Sequence, residues 1–237
     1  MSNGWAESAD AWIADLGKHG DYGRATVLDV PMTARVRDRG FKSALDVGCG
    51  EGRFCRMLQG MGLETVGIDP TERLLEAARQ RDPGGDYRLG RAEALDFHDA
   101  TFDLVVSYLT LIDIPDIRRA IPEMARVLKP GGALLIANMT SFNSAGPPTG
   151  WQREPDGTPY FPIDNYLEER GQWVAWRGIK IMNHHRPLET YMSLLLGQGL
   201  QLTHFAEPKP QGGDPAKSAR FQRVPYFLIM EWVKPRG

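Results

Sequence analysis

The sequence predicts an α/β protein built on a doubly wound, mostly parallel seven-stranded sheet that carries an inserted aromatic-rich cap, and three observations predict it. Short apolar runs recur along the 237 residues, separated by segments of helix length, and that alternation means parallel strands joined by helical crossovers. A cluster of glycines, Gly48, Gly50 and Gly52, follows the first of these runs and precedes a helical pattern, so the chain turns sharply from strand to helix there. From Thr140 to about Gly178 the alternation stops, and proline, glycine and aromatic residues crowd together instead.

Taken in order, the strands are expected at Ser43 to Val47, Thr65 to Asp69, Tyr87 to Leu89, Phe102 to Tyr108 and Ala133 to Asn138. Asp116 is a plausible N-cap for the clearest helix, which sets Ile117, Ile121, Met124, Ala125 and Leu128 on one face. Lys129-Pro-Gly-Gly132 should stop it before the next strand. A later helix over Pro187 to Gly197 and strands around Leu200 to Phe205 and Tyr226 to Val233 complete the set. The expected organisation is one domain: a helical lid over 1–40, a cofactor-binding core over 41–139, a substrate cap over 140–186 and the last part of the sheet over 187–237.

In an open sheet of this kind ligands bind outside the carboxyl ends of the strands, where the strand order reverses. Asp46, the glycine loop, Asp69 and Ser107 all fall there. The missing glycine side chains let a ligand sit against backbone N–H groups. A dinucleotide fingerprint needs its third glycine at residue 53, where this chain has Arg53, and it needs a positive helix end open to a pyrophosphate. Asp46 and Glu51 flank the loop instead. Two carboxylates repel a pyrophosphate but suit a ligand bearing a sulfonium and an ammonium group, which is the chemistry of S-adenosylmethionine. Asp69, ending the next strand, is placed to accept hydrogen bonds from both ribose hydroxyls.

Five blocks, LDVGCGEGRF, VGIDPTERLLEAAR, RAEALDF, FDLVVSYLTLIDI and VLKPGGALLIAN, occur in that order over residues 40–140. Through them the chain resembles the class I, seven-stranded S-adenosylmethionine-dependent methyltransferases. The resemblance implies the Rossmann-like methyltransferase fold with an antiparallel sheet edge, and S-adenosylmethionine as cofactor with S-adenosylhomocysteine as product. It places the methionyl part on Gly48, Cys49 and Gly50 beside Asp46, and the ribose on Asp69 with Pro70 alongside. Ala92 and Glu93 come near the adenine, and Ser107 and Tyr108 line the site. Many relatives carry an acid where this chain has Arg91, so the backbone of Ala92 and the surroundings of Glu93 replace a direct acidic contact. Glu93 reads equally as a solvated charge. Relatives often fold their N-terminal segment over the cofactor, and Tyr22 or Arg24 would then hold the methionyl carboxylate, Arg24 through a charge-assisted pair. A surface helix with its aromatic residues packed inward is the alternative.

Composition bounds the remaining possibilities. A formal net charge of −2 gives no global reason to expect nucleic acid. No apolar run approaches the roughly 18 residues of a membrane helix, and the polar, acidic opening lacks the pattern of a secretion signal. The expected location is cytoplasmic. Cys49 and Cys55 are read as reduced, without spacing for zinc, and no metal constellation is expected among Asp113, Asp116 and Asn138. Cys49 is not read as a nucleophile, because transfer from a sulfonium requires none.

On the acceptor side, Ser107-Tyr-Leu-Thr110 lacks the Asn/Asp-Pro-Pro-Tyr/Phe signature that holds a planar nitrogen, which lowers DNA bases as substrates. Trp151, Tyr160, Phe161, Tyr166, Trp173 and Trp176 would either wall an apolar acceptor pocket or pack among themselves. His184 and His185 stand where the cap rejoins the sheet. One of them would take a proton from a hydroxyl acceptor, or both cap and pack. The basic stretch Lys209 to Arg223 reads as a mobile solvated loop. The expected function is methyl transfer to an oxygen or nitrogen of a small organic molecule, with no nucleic-acid or membrane partner. The alternatives are methylation of a tRNA wobble base and a sensor that binds S-adenosylmethionine without catalysis.

Overall fold

The computed structural model describes residues 3–17, 19–147 and 150–236. Its sheet is built from β1 (Ser43–Val47), β2 (Glu64–Asp69), β3 (Asp86–Leu89), β4 (Phe102–Tyr108), β5 (Leu128–Met139), β10 (Gln201–Ala206) and β11 (Phe227–Val233), in the order β10-β11-β5-β4-β1-β2-β3. The five strands β5-β4-β1-β2-β3 run parallel, and β11 and β10 close the edge antiparallel.

Successive residues alternate between two buried faces, as a sheet covered on both sides requires. Leu45, Val105, Leu134, Ile136, Met230 and Trp232 face one cluster, which α5 (Ile117–Val127) and α7 (Leu188–Gly197) cover with Ile117, Ile121, Met124 and Leu195. Ala44, Leu104, Val106, Leu135 and Ile229 face the other, under Val27 and Leu28 of the π-helical turn Arg24–Leu28, Met32 of α2 (Asp29–Ala34) and Phe54 of α3 (Arg53–Gln59). The crossover from β2 to β3, α4 (Glu72–Arg81), packs Leu75 and Ala78 against Tyr87.

Most expected elements stand within a residue of their reading. Asp116 caps α5, its carboxylate accepting from Arg119 N at 3.2 Å. One boundary is corrected: Leu128 opens β5 rather than ending α5. It pairs with Phe102, and pairing resumes only at Ala133 with Leu104, so Lys129 to Gly132 bulge out of the strand. That bulge is held from β11's end, through Gly131 N to Lys234 O and Lys234 N to Gly132 O.

Between β5 and α7 the chain forms α6 (Ser141–Ala145), a two-residue pairing of β6 (Gln152–Arg153) with β7 (Pro159–Tyr160), and a hairpin of β8 (Arg170–Trp176) with β9 (Ile179–His185). Two backbone bonds tie β9 down along its edge away from β8, from Met182 N to Asn3 O and from His184 N to Ile112 O. The first helix, α1 (Trp5–Leu16), crosses β9 and donates Ser8 Oγ to Lys180 O at 3.0 Å. Residues 209–223 are not a solvated loop throughout: Asp214 caps α8 (Pro215–Arg223) by accepting from Lys217 N. No helix among the described residues is long and apolar enough to cross a membrane.

The buried Arg186 orders the loop after β4. It donates to Leu111 O, Ile114 O and Pro115 O at 3.1, 2.7 and 3.0 Å. Replacing it with methionine orphans three buried acceptors, so Arg186→Met should lower unfolding free energy by roughly 3 kcal/mol in urea titrations; an unchanged midpoint would refute the anchoring role.

Candidate active site

One cavity of about 830 Å³ opens at the carboxyl ends of β1, β2 and β4, on the side of the sheet where the strand order reverses. That volume lies toward the upper end of the about 300–1,000 Å³ usual for small-molecule sites.

The glycine loop forms its floor. Gly50 adopts φ +55, and a Cβ there would meet nothing within 4 Å, so its open side faces the cavity. Gly48 adopts φ +76, and a Cβ would lie 2.1 Å from Thr110 Cγ2. Both positions therefore demand glycine, one for its backbone conformation and one for its space as well. Asp69 locks the loop to β2: its Oδ2 accepts from Gly50 N at 3.0 Å and its Oδ1 from Thr71 N at 2.8 Å. The carboxylate thus serves the turn into α4 while it lines the cavity.

Asp46 is buried beside it. Its Oδ2 accepts from Cys55 Sγ at 3.5 Å, and its Oδ1 has no hydrogen-bond partner. Burial pushes Asp46 up to about 7 and Asp69 up to about 6, the backbone donors of Thr71 and Gly50 opposing the rise at Asp69. Glu51 is held by two arginines. Its carboxylate meets Arg56 at 2.7 Å and Arg81 at 2.5 Å, so the expectation that it offers a free charge to the ligand is corrected. The two thiols are free and buried, and burial raises Cys49.

Arg24, from the N-terminal segment, lies near enough to Asp46 to favour its charged form against the effect of burial. Its guanidinium lies 5.0 Å from the Trp12 ring centroid and 5.6 Å from that of Tyr108, and it pairs with Asp21. Tyr108 donates to Asp29 at 2.8 Å, and Asp29 also pairs with Arg53. Arg53, which occupies the place of a dinucleotide glycine, further donates to His19 O at 2.8 Å and so pins the segment that carries Arg24. Nothing in the local sequence links residue 53 to residue 29. Tyr22 lines the cavity, but its hydroxyl is engaged with Ser218 Oγ at 2.9 Å. Pro70, Ala92 and Glu93 also line it, with Glu93 paired to Arg91 at 3.1 Å rather than solvated. Ser107 does not: it is fully buried with its Oγ unpartnered, because β4 alternation turns it into the core side of the strand end.

Sequence reasoning missed Asp113. It lines the cavity from the loop after β4, where Leu109 takes a left-handed φ of 58 and so turns the chain toward the site. Asn183 Nδ2 donates to its Oδ1 at 2.6 Å, joining loop to hairpin, and burial pushes its carboxyl up to about 8.

The histidines are elsewhere. His185 is fully buried, its Nε2 donating to Tyr166 O at 2.9 Å and its Nδ1 paired with Ser144 Oγ at 2.8 Å. Both nitrogens are committed, so the general-base expectation for His185 is corrected to a structural one. His184 points to the opposite face of β9 from the lining residues Ile181 and Asn183 and does not line the cavity. Of the insert's expected aromatic wall, only Trp176 lines the cavity; Trp151 packs on Phe161, Tyr166 on His185, and Trp173 is exposed. The apolar wall comes instead from Trp5, Trp12, Phe221, Tyr226 and Phe227.

Residues 45–136 match a family described as a methyltransferase domain. A solved S-adenosylmethionine-dependent methyltransferase from Mesorhizobium loti superposes with a TM-score of 0.78 at 26% identity, over 92% of this chain and 100% of that one. Residues 45–136 therefore hold a methyltransferase domain, on a fold shared with S-adenosylmethionine-dependent methyltransferases and with S-adenosylmethionine as its cofactor. It is also 27% identical to a malonyl-(acyl-carrier protein) O-methyltransferase of Salmonella typhimurium, over 84% of this chain and 78% of that protein. A protein of the same name from Serratia marcescens is 30% identical over 56% of this chain, which spans 54% of that relative's length.

The methyltransferase's own geometry fits its cofactor. An unpartnered buried carboxylate oxygen on Asp46 and the open face of Gly50 are what a ligand with a cationic amino acid end requires. Raised carboxyl groups couple this to pH. A folded-state value near 7 against 3.8 means that the free protein holds a proton on Asp46 that the unfolded chain releases, so stability falls as pH rises from about 4 to 7 and stays low above. Asp46→Asn should therefore raise the melting temperature of the cofactor-free protein at pH 8 by a few °C and weaken S-adenosylmethionine binding at least tenfold, by thermal scanning and calorimetry. Wild-type affinity for S-adenosylmethionine should increase between pH 6 and 8; a flat profile would contradict the assignment.

Proposed function

We propose that this methyltransferase moves a methyl group from S-adenosylmethionine to an oxygen or nitrogen of a small organic molecule. The single observation that supports the reading is that one cavity runs unbroken from the Asp46, Gly50 and Asp69 cradle to the aromatic wall of Trp176, Phe221 and Tyr226.

Asp69 holds the ribose hydroxyls, with its own geometry preset by Gly50 N and Thr71 N. Asp46 receives the amino group on its free oxygen, and Arg24, stacked between Trp12 and Tyr108, receives the carboxylate. When bound, the cofactor supplies a methyl group activated by a positively charged leaving sulfur, so alignment and exclusion of water account for much of the rate. Trp5 and Trp12, packed with Trp176 of the β8–β9 hairpin, and α8 cover the cavity and exclude water. Asp113, whose Oδ1 accepts from Asn183, lines the cavity, and we assign its second oxygen to the acceptor. That oxygen accepts the acceptor's proton as the new bond to carbon forms. The malonyl-(acyl-carrier protein) relatives favour oxygen as the methylated atom.

Incubation with methyl-labelled S-adenosylmethionine and a cell extract resolved into small-molecule, protein and RNA fractions tests the reading. Label should enter the small-molecule fraction; label confined to RNA, or cofactor binding without any transfer, would overturn it. Once the acceptor is in hand, Asp113→Asn should reduce turnover at least tenfold and flatten a pH profile that otherwise rises with its midpoint at about 8. His184→Ala should stay within about twofold of wild type; the opposite ranking would return the base to the histidine.

A further inference from the structure

The charged groups lining the cavity divide in space. Most are matched: Asp15 pairs with Arg177, Asp21 with Arg24, Glu93 with Arg91, Arg53 with Asp29, and Glu51 with Arg56 and Arg81. Among the described lining residues, the carboxylates left without an ion-pair partner are Asp46 and Asp69 at the strand ends and Asp113 in the loop after β4. The cations left without an acidic partner are Lys217 and Arg220, both on α8 and both exposed at the rim.

Arg223, in the same last turn of α8, shows what an unrecruited cation does here. It donates to Pro159 O at 2.9 Å and covers the Trp151 ring at 4.6 Å, outside the cavity. Lys217 instead lies 5.1 Å over the ring of Tyr22, which itself lines the cavity. The helix is latched in this position: Tyr22 hydroxyl meets Ser218 Oγ, and Gln211 N donates to Thr26 O at 2.7 Å. Between the rim and the strand ends the lining is apolar, through Phe221, Tyr226, Phe227 and Met139. Two positive charges at one end of an apolar passage attract a negative charge at that end, and cations unopposed by carboxylates retain most of their field for a ligand.

We propose that the methyl acceptor is an amphiphile with a carboxylate or phosphate at the end remote from the methylated atom, and that Lys217 and Arg220 bind this anionic group. The proposal rests on the reading of this cavity as a methyl-transfer site. It selects acceptors by charge at the rim, while Asp113 receives the reacting end. A fatty carboxylate and a phosphopantetheine arm share this chemistry.

The test uses full-length protein saturated with S-adenosylhomocysteine, titrated by calorimetry with two probe pairs: octanoate against octan-1-ol, and 4′-phosphopantetheine against pantetheine. At least one anionic probe should bind tenfold or more tightly than its neutral counterpart, and the pair that discriminates identifies the source. The doubly reversed variant Lys217→Glu/Arg220→Glu should abolish that preference, with the neutral Lys217→Gln/Arg220→Gln variant intermediate, while S-adenosylhomocysteine affinity changes less than about threefold. Equal binding of charged and neutral probes, or a preference that survives charge reversal, would overturn the proposal. S-adenosylhomocysteine binding by the wild type is measured first. Its failure would refute the methyl-transfer reading, whereas its success without anion preference would refute only the role of α8.

Discussion

Carboxylates buried without an ion-pair partner are the constraint on which the rest of this protein turns. Asp46 and Asp69 lie near the ends of adjacent parallel strands, and desolvation drives both toward the protonated state. A fold optimised for stability alone would place apolar groups or an arginine there. Carboxyls held this way ionise at lower pH once a cationic ligand supplies a countercharge. The glycine loop follows from the same constraint, since Asp69 keeps its position by accepting from Gly50 N and a side chain at Gly48 would strike Thr110.

The elements above the sheet are held by polar anchors that span long sequence separations. Arg53 joins the start of α3 to Asp29 and His19, Arg186 gathers three carbonyls of the loop after β4, and Asn183 joins that loop to the hairpin through Asp113. Each anchor is nearly enclosed, where a satisfied hydrogen bond to a charged group contributes more than it would at the surface. Together they bring the N-terminal segment, the insert and α8 against one cavity. Binding of cofactor and recognition of acceptor are thereby coupled through shared walls: Tyr22 touches α8, while Arg24, two residues on, lies near Asp46.

Much of the sheet was legible because strands buried on both faces leave continuous apolar runs, and β1 and β4 coincide with their expected limits. The antiparallel edge at β11 and β10 also stands where the resemblance placed it, within a residue. Lys129-Pro-Gly-Gly132 misled only in detail, since a breaker marks a departure from regular structure but not whether pairing has already begun one residue earlier. In the insert, residue type was a poor guide. An aromatic ring lowers its free energy equally by lining a pocket or by packing on a neighbour, and Trp151 and Tyr166 do the latter. A histidine next to the expected acceptor site suggested a base, yet Ser144 and the Tyr166 carbonyl occupy both nitrogens of His185.

The sequence by itself determined the fold class and the cofactor end of the site, because a parallel strand, its glycine turn and the acid closing the next strand are local features whose spacing dictates their geometry. Tertiary structure alone decided which groups face the acceptor. Asp113, Lys217 and Arg220 belong to a loop and a helix about a hundred residues apart, and only packing sets which charges find partners and which remain free. Charge matching is a property of three-dimensional neighbours, so Glu51, which looked like the partner of Asp46 in sequence, is neutralised by Arg56 and Arg81, while the basic run near residue 217 becomes the rim of a cavity rather than a solvated loop.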